Sequence, residues 1–214
     1  MAKSQASLKS KNALYLWTFD GVNFAVFFAV TIGSGLDYSS IQHFWQRILA
    51  KNGFIAACMP LVVVVLNGIL GDVAKARFVF WRWSNPLPGC RAFSKLIHAD
   101  PRIDVARLKE KHAPFPRAAK DQNALWFNLY KKHSAAITVI EGHRLYLLTR
   151  DMASMSALFV LPFSLFAGLS SAETGTAWLY VLALLLQYAF IATAARNYGN
   201  RFVKNVLTEE SHSK

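Results

Sequence analysis

Four stretches of this sequence are apolar over about the length a helix needs to cross a bilayer, roughly 17 to 25 residues. No motif constrains the fold as much. They are residues 14–36 (LYLWTFDGVNFAVFFAVTIGSGL), 53–70 (GFIAACMPLVVVVLNGIL), 152–172 and 176–195. Asp20 and Asn23 interrupt the first, and the second carries no charge. Only a short turn around Glu173, Thr174 and Gly175 separates the last two, which implies an antiparallel hairpin. Hydrophobic residues make up 54% of the chain, yet it carries 24 Lys and Arg against 12 Asp and Glu. That mixture suits apolar spans joined by charged loops better than it suits a soluble core. No small-residue cleavage site follows a short apolar core near the start, so the first run is expected to be an uncleaved span.

The positive charges orient these runs, because cytoplasmic loops retain Lys and Arg. Lys3, Lys9 and Lys11 precede the first run, fifteen Lys and Arg lie in residues 71–151, and Arg196, Arg201, Lys204 and Lys214 follow the last run. The connection between the first two runs holds only Arg47 and Lys51, and that between the last two holds none. Four crossings would place all three basic regions on one side. The expected fold is therefore an all-α integral membrane protein, with four transmembrane helices and a small helical cytoplasmic domain inserted between helices 2 and 3. Its parts would be residues 1–72, holding the arm, the first two spans (14–36, 53–70) and an outer amphipathic loop (37–52); the basic helical domain 73–151; the hairpin 152–195 (152–172, 176–195); and a tail, 196–214. The expected location is a bacterial cytoplasmic (inner) membrane, multi-pass, with both termini cytoplasmic.

Within the basic segment, Asp100-Pro101 opens a helical pattern that runs to His112, with proline at a permitted first-turn position. Residues 113–116 (APFP) break it. A second pattern from Ala118 puts Leu125, Trp126, Leu129, Tyr130 and His133 on one face. A third begins near Ala135 and continues into the third apolar run, with Gly142 as a point where it could kink.

Polar residues within the apolar runs are candidate functional positions, because a polar group at that depth is costly to leave facing lipid. Counted inward from the outer ends, Asn23 and Asn67 lie at nearly equal depth, Gln187 is close to them, and Asp20, Asp72 and Arg196 follow below. These six would form an intramembrane polar layer, serving either as inter-helix hydrogen bonding or as a water-accessible vestibule between copies. Small residues in the first and third runs would allow close helix approach in a homo-oligomer. The stretch RFVFWRWSNPLPGCR (77–91) follows the second run. If that helix continues through Arg82, then Trp81, Arg82 and Trp83 sit at the membrane interface, and Pro86 and Pro88 turn the chain into the basic domain.

The signatures GxSxG, GxxxxGK[ST], HExxH and HxE with CxxC are all absent from the sequence. No catalytic residue, metal or cofactor is expected. His98, His112, His133 and His143 lie in the basic segment beside Asp100, Glu110, Asp121 and Glu141, but no two stand at i, i+4. Fifteen Lys and Arg against seven Asp and Glu in residues 71–151 favour anionic inner-leaflet lipids or a soluble cytoplasmic partner. Nucleic acid or a nucleotide is a less favoured partner. Arg82, Arg91, Lys131, Lys132 and Arg144 are candidates for anion or partner binding.

Three functions fit these features. The first is an oligomeric bacterial membrane effector or channel-like protein, whose basic domain receives a signal and alters membrane permeability, with phage defence as one setting by analogy of architecture. The second is a membrane anchor or adaptor that docks a soluble protein or nucleic acid at the inner surface. The third is a membrane-bound enzyme acting on an anionic or lipid substrate.

Overall fold

The computed structural model describes residues 8–32, 61–169 and 174–213. All regular elements among them are helical. In chain order they are α1 (Leu8–Ile32), α2 (residues 61–69), α3 (Asp72–Phe80), two short 3₁₀ turns (Pro88–Arg91 and Leu96–His98), α4 (Val105–His112), α5 (Ala119–Lys132), α6 (Ile137–Leu169) and α7 (Thr174–His212). The outer loop 37–52, part of each of the first three expected spans and the turn at Glu173 lie outside the described residues.

The expected bundle of four membrane spans is not supported. Among the described residues one helix, Gly175–His212, is long and apolar enough to cross a membrane. In α1 the apolar run is diluted by Asn12, Asp20 and Asn23. The described part of α2 covers only residues 61–69, and the helix ends before Gly71. The first half of α6 carries Glu141, Arg144, Arg150 and Asp151. The multi-pass arrangement falls with the bundle.

Helices α6 and α7 form the frame. At 1.5 Å per residue, 33 and 39 residues give rods of about 50 and 58 Å, packed antiparallel along much of their length. Two glycines allow the close approach. A Cβ on Gly142 would stand 3.3 Å from the Phe202 Cα, and one on Gly199 would stand 3.0 Å from the Phe80 and Tyr146 rings. The helix α6 runs through Gly142 without a break. The glycine admits α7.

Each long helix contributes to two cores. Toward one end, Met155, Phe159 and Phe163 of α6 and Tyr180 and Leu184 of α7 pack with Phe24 and Phe27 of α1 and Val63 of α2. Phe27 and Phe163 stack at 4.4 Å, and Phe159 and Phe163 at 4.9 Å. Toward the other end, Val139, Tyr146 and Ala153 of α6 and Phe202, Val203, Val206 and Leu207 of α7 pack with α3, α4, α5 and the 3₁₀ turns. The segment after Ala195 is thus helical to His212 and half of it is buried, because its apolar residues recur at helical spacing.

Local chemistry sets the boundaries of the short helices. Helix α4 starts at Val105 rather than at Pro101. The Asp104 side chain caps it by accepting from the Arg107 N–H. Asp100 instead folds back onto Arg102, accepting from its backbone N–H at 3.1 Å and from its guanidinium at 2.8 and 3.0 Å. The 3₁₀ turn at Pro88–Arg91 lies on α5, where a Cβ on Gly89 would fall 2.5 Å from Asn123 Oδ1 and Trp126 Cε3. Buried Gln122 of α5 holds the following chain by accepting from the N–H groups of Phe93 and Ser94.

Candidate functional site

The first-core end of the molecule is inside out by the standards of a water-soluble fold. Along α1, Asn12, Asp20 and Asn23 are buried, while Leu14, Trp17, Val22 and Val26 are exposed. On α6, Ser154 and Ser156 are buried and Leu161 and Leu165 are exposed. On α7, Trp178, Leu179, Leu182, Leu186 and Phe190 face outward. Only 17% of the most apolar stretch of α7 is buried. A core helix of a soluble protein is mostly buried, so this one has the composition of a core helix without its surroundings. Contiguous exposed apolar surface on this scale marks a surface that is covered by lipid or by other protein.

The buried polar groups at this end meet in part as the depth comparison implied. Gln187 Nε2 donates to Asn23 Oδ1 at 2.9 Å and approaches Ser156 Oγ at 3.3 Å. Asn23 in turn donates to the Phe19 carbonyl. Asn67 is not part of that pair and accepts from Ser154 Oγ at 2.6 Å. Asp20, 3% exposed, has a buried Oδ1 without a hydrogen-bond partner among the described residues. It lies in the wall of a cleft of about 200 Å³, together with Ala13, Leu16 and Trp17 of α1, Val64 and Asn67 of α2 and Met155 of α6.

The layer of Asp20, Asp72 and Arg196 does not form. Asp72 accepts from Arg150 NH1 at 2.8 Å. Arg150 also binds Asp151 through Nε and NH2, at 3.0 and 2.9 Å, and Lys75 Nζ reaches the same carboxylate oxygen at 3.1 Å. Two cations and two anions thus neutralise one another where α3 meets α6, with Lys75, Arg150 and Asp151 buried. Burial removes the hydration of these charges, so each depends on its partners for stability.

Arg196 belongs to the joint. Helix α3 ends at Phe80 rather than continuing through Arg82, because Trp81 takes the left-handed conformation (φ 51°, ψ 42°) as its C-cap. A bulky residue in that region costs about 1 to 2 kcal/mol, so its side chain must be held. The indole Nε1 donates to the Tyr188 hydroxyl at 2.9 Å, and that hydroxyl donates to the Phe78 carbonyl at 2.8 Å. The Arg196 guanidinium stacks 3.5 Å from the ring centroid, and its Nε donates to the Val79 carbonyl. Trp81 is itself largely exposed, and a cation–π contact at an exposed site contributes about 0.5 to 1 kcal/mol. Trp81 therefore fastens the end of α3 to α7 at the level where the outward apolar face of α7 stops. Arg82 and Trp83 are exposed beyond it, and Pro86 and Pro88 are buried.

The other basic candidates do not converge. Arg91 lies over the Phe80 ring, 4.9 Å from its centroid, and burial together with repulsion from Arg82 lowers its pKa. Lys131 lies over Phe127. Arg144 and Asn12 exchange hydrogen bonds at 3.0 and 3.1 Å, joining α6 to α1.

Lys132 leads to the most concentrated charge cluster of the polar end. Its ammonium reaches both Glu210 oxygens, at 3.1 and 2.9 Å. His112 Nε2 meets Glu210 Oε1 at 2.9 Å, and His133 Nε2 meets Oε2 at 2.5 Å. Lys111 Nζ donates to the Glu210 carbonyl and to the carbonyl and Oγ of Ser213. Glu210 is 1% exposed. Burial pushes its carboxyl pKa up, but the hydrogen bonds from His133, Lys132 and His112 outweigh that and bring it down to about 2. One carboxylate thus ties the ends of α4, α5 and α7. His98 is exposed and elsewhere. His143 stacks on Phe202 at 4.6 Å and takes part in a 3.1 Å hydrogen bond with the Tyr130 hydroxyl. Burial, with the Arg150 charge, lowers its pKa to about 4, so it is neutral near pH 7. No group of three or more His, Cys, Asp or Glu suited to a metal ion occurs among the described residues.

Sequence reasoning passed over Glu210, Lys75, Arg150, Asp151 and Tyr188. A signal for Glu210 exists in its spacing, since it falls three, four and seven residues after Leu207, Val206 and Val203 on the buried face of α7. No known family, curated protein or solved structure significantly matches the chain.

Proposed function

We propose that this chain is a membrane effector that works as an oligomer and alters membrane permeability, with its apolar end in a bacterial cytoplasmic membrane and its basic end inside. The observation that carries the reading is Asp20. A buried carboxyl group whose Oδ1 has no hydrogen-bond partner among the described residues, on the wall of a cleft shared with Asn67, is a costly feature to keep in an apolar surround. Such groups are retained where a proton or cation has to be handled. The phenylalanine packing of Phe24, Phe27, Phe159 and Phe163 fills the interior of a single copy, so a path would lie between copies, along the Asp20 side of α1. The rods α6 and α7 run without interruption from this end into the basic end, and Trp81 ties α3 to the same frame. A signal received by the basic end would reach the cleft through them.

The test is ion flux across liposomes with the purified protein, together with its mass in detergent. Wild-type protein should be oligomeric and conduct, and Asp20→Asn should abolish flux while keeping the oligomer. A monomer without flux overturns the proposal. The same solid phenylalanine packing supports a second reading, a membrane anchor whose basic end docks a soluble partner. In that case Asp20→Asn leaves function unchanged.

A further inference from the structure

A second cleft, of about 440 Å³, opens beside the joint. Val73 and Arg77, one turn apart on α3, form one wall; Trp83 and Asn85 of the following loop and Lys120 and Asn123 of α5 form others. Two cations and two side-chain amides line it, and none of its lining residues is a carboxylate. Some cations of the molecule are ion-paired, Lys75 with Asp151, Arg150 with Asp72 and Lys132 with Glu210, whereas others, Arg82 and Lys109 among them, have no ion-pair partner among the described residues. Arg77 and Lys120 have none among those residues either. Arg77 is aimed all the same, since its Nε donates to the Trp83 carbonyl at 3.2 Å. That bond fixes the plane of the guanidinium and leaves its terminal nitrogens for another acceptor. A fixed guanidinium beside an ammonium and amide donors is complementary to the oxygens of a phosphate.

The place of the cleft narrows the ligand further. Val73 in the wall of the cleft is exposed, and so are Ile69 and Leu66 at the end of α2, the helix that precedes it in the chain. Trp83 is 85% exposed at the rim, and an indole there suits the boundary between headgroups and acyl chains. A ligand with a phosphate at one end and an apolar chain at the other matches both halves.

We infer that this cleft binds the phosphate of an anionic lipid headgroup, with Arg77 and Lys120 on the phosphate oxygens, Asn85 and Asn123 as further donors, and an acyl chain along Val73, Ile69 and Leu66. The inference rests on the apolar end being seated in a bilayer, and it stands independently of any ion flux.

The experiment titrates the detergent-solubilised full chain with short-chain phosphatidylglycerol, with phosphatidylcholine of the same chain length, and with soluble glycerol phosphate. Bound species are counted by native mass spectrometry. Phosphatidylglycerol should bind in preference to phosphatidylcholine, and the double variant Arg77→Gln/Lys120→Gln should weaken it about thirtyfold, the worth of two cations at an anionic surface. Lys120→Glu alone should weaken it as well, and it leaves the Arg77–Trp83 contact in place. Lys109→Gln, at an exposed position of α4, serves as the control and should change nothing. Glycerol phosphate binding as tightly as the lipid, with the same dependence on Arg77 and Lys120, supports the phosphate site and overturns the lipid as its source. Undiminished phosphatidylglycerol binding by a double variant that melts like the wild type overturns the site itself.

Discussion

Replacing Glu210 by Gln tests how the polar end is held together. The carboxylate is buried and is met by His112 from the end of α4 and by Lys132 and His133 from the end of α5. Its pKa falls from the ordinary 4.5 to about 2, a shift of about 2.5 units, and at about 1.4 kcal/mol per unit this corresponds to about 3 kcal/mol. The sign follows from the depression. The unfolded chain binds the proton more tightly than the folded one, so the contribution is complete above pH 4.5 and disappears as pH falls through that value toward 2. Glu210→Gln keeps the volume and loses the charge. At pH 7 it should therefore melt about 6 to 12 °C below the wild type, taking roughly 2 to 4 °C per kcal/mol for a chain of this size. The assay is thermal unfolding of both proteins in one detergent between pH 7 and pH 2. Other carboxylates titrate alike in the two proteins, so the difference between the curves reports Glu210. It should be present at pH 7 and shrink as pH falls from about 4.5 toward 2. Equal melting at pH 7, or a gap that persists in acid, would refute the argument.

Three further outcomes follow from the packing. Asp151→Asn leaves Lys75 and Arg150 without their shared buried acceptor, and a loss of about 3 to 5 kcal/mol is expected in denaturant unfolding. Gly89→Ala places a methyl group 2.5 Å from the Trp126 ring; forcing the turn off α5 should cost about 1 to 3 kcal/mol, readable as a lower melting temperature and changed tryptophan fluorescence. Gln187→Leu removes the donor to Asn23 at the apolar end and should cost about 0.6 to 1.7 kcal/mol in a detergent unfolding series, while Thr193→Ala, on the outer face of α7, should be nearly neutral.

Much of this architecture is legible in residue order, because helical periodicity and composition are local. The apolar run 176–195 marks the helix that is able to cross a membrane, and the pattern from Ala118 places Leu129 and Trp126 on the face that α5 buries. Rise per residue converts sequence position into height, which put Asn23 and Asn67 at nearly equal depth with Gln187 close to them. Depth could not supply azimuth. Asn67 meets Ser154, and Asp72 and Arg196 go to different partners, because rotation about each helix axis is set by packing. Helix ends were misjudged where side chains compete for the backbone. Asp100 spends its carboxylate on Arg102, so Asp104 caps α4, and Trp81 stops α3 by a left-handed conformation held by its bond to the Arg77 carbonyl and its contacts with Tyr188 and Arg196.

By itself, then, the sequence determined helical periodicity, four apolar runs that read as four spans, and a surplus of positive charge. Tertiary structure decided that four spans are not supported, that α1 turns its asparagines and aspartate inward and its Leu14 and Trp17 outward, and that Glu210 gathers two histidines and a lysine from distant segments. The physical reason is range. Hydropathy and helix propensity are summed over neighbours along the chain, whereas a buried charge is stabilised only by groups that folding brings within about 3 Å, and those groups lie 77 to 98 residues away.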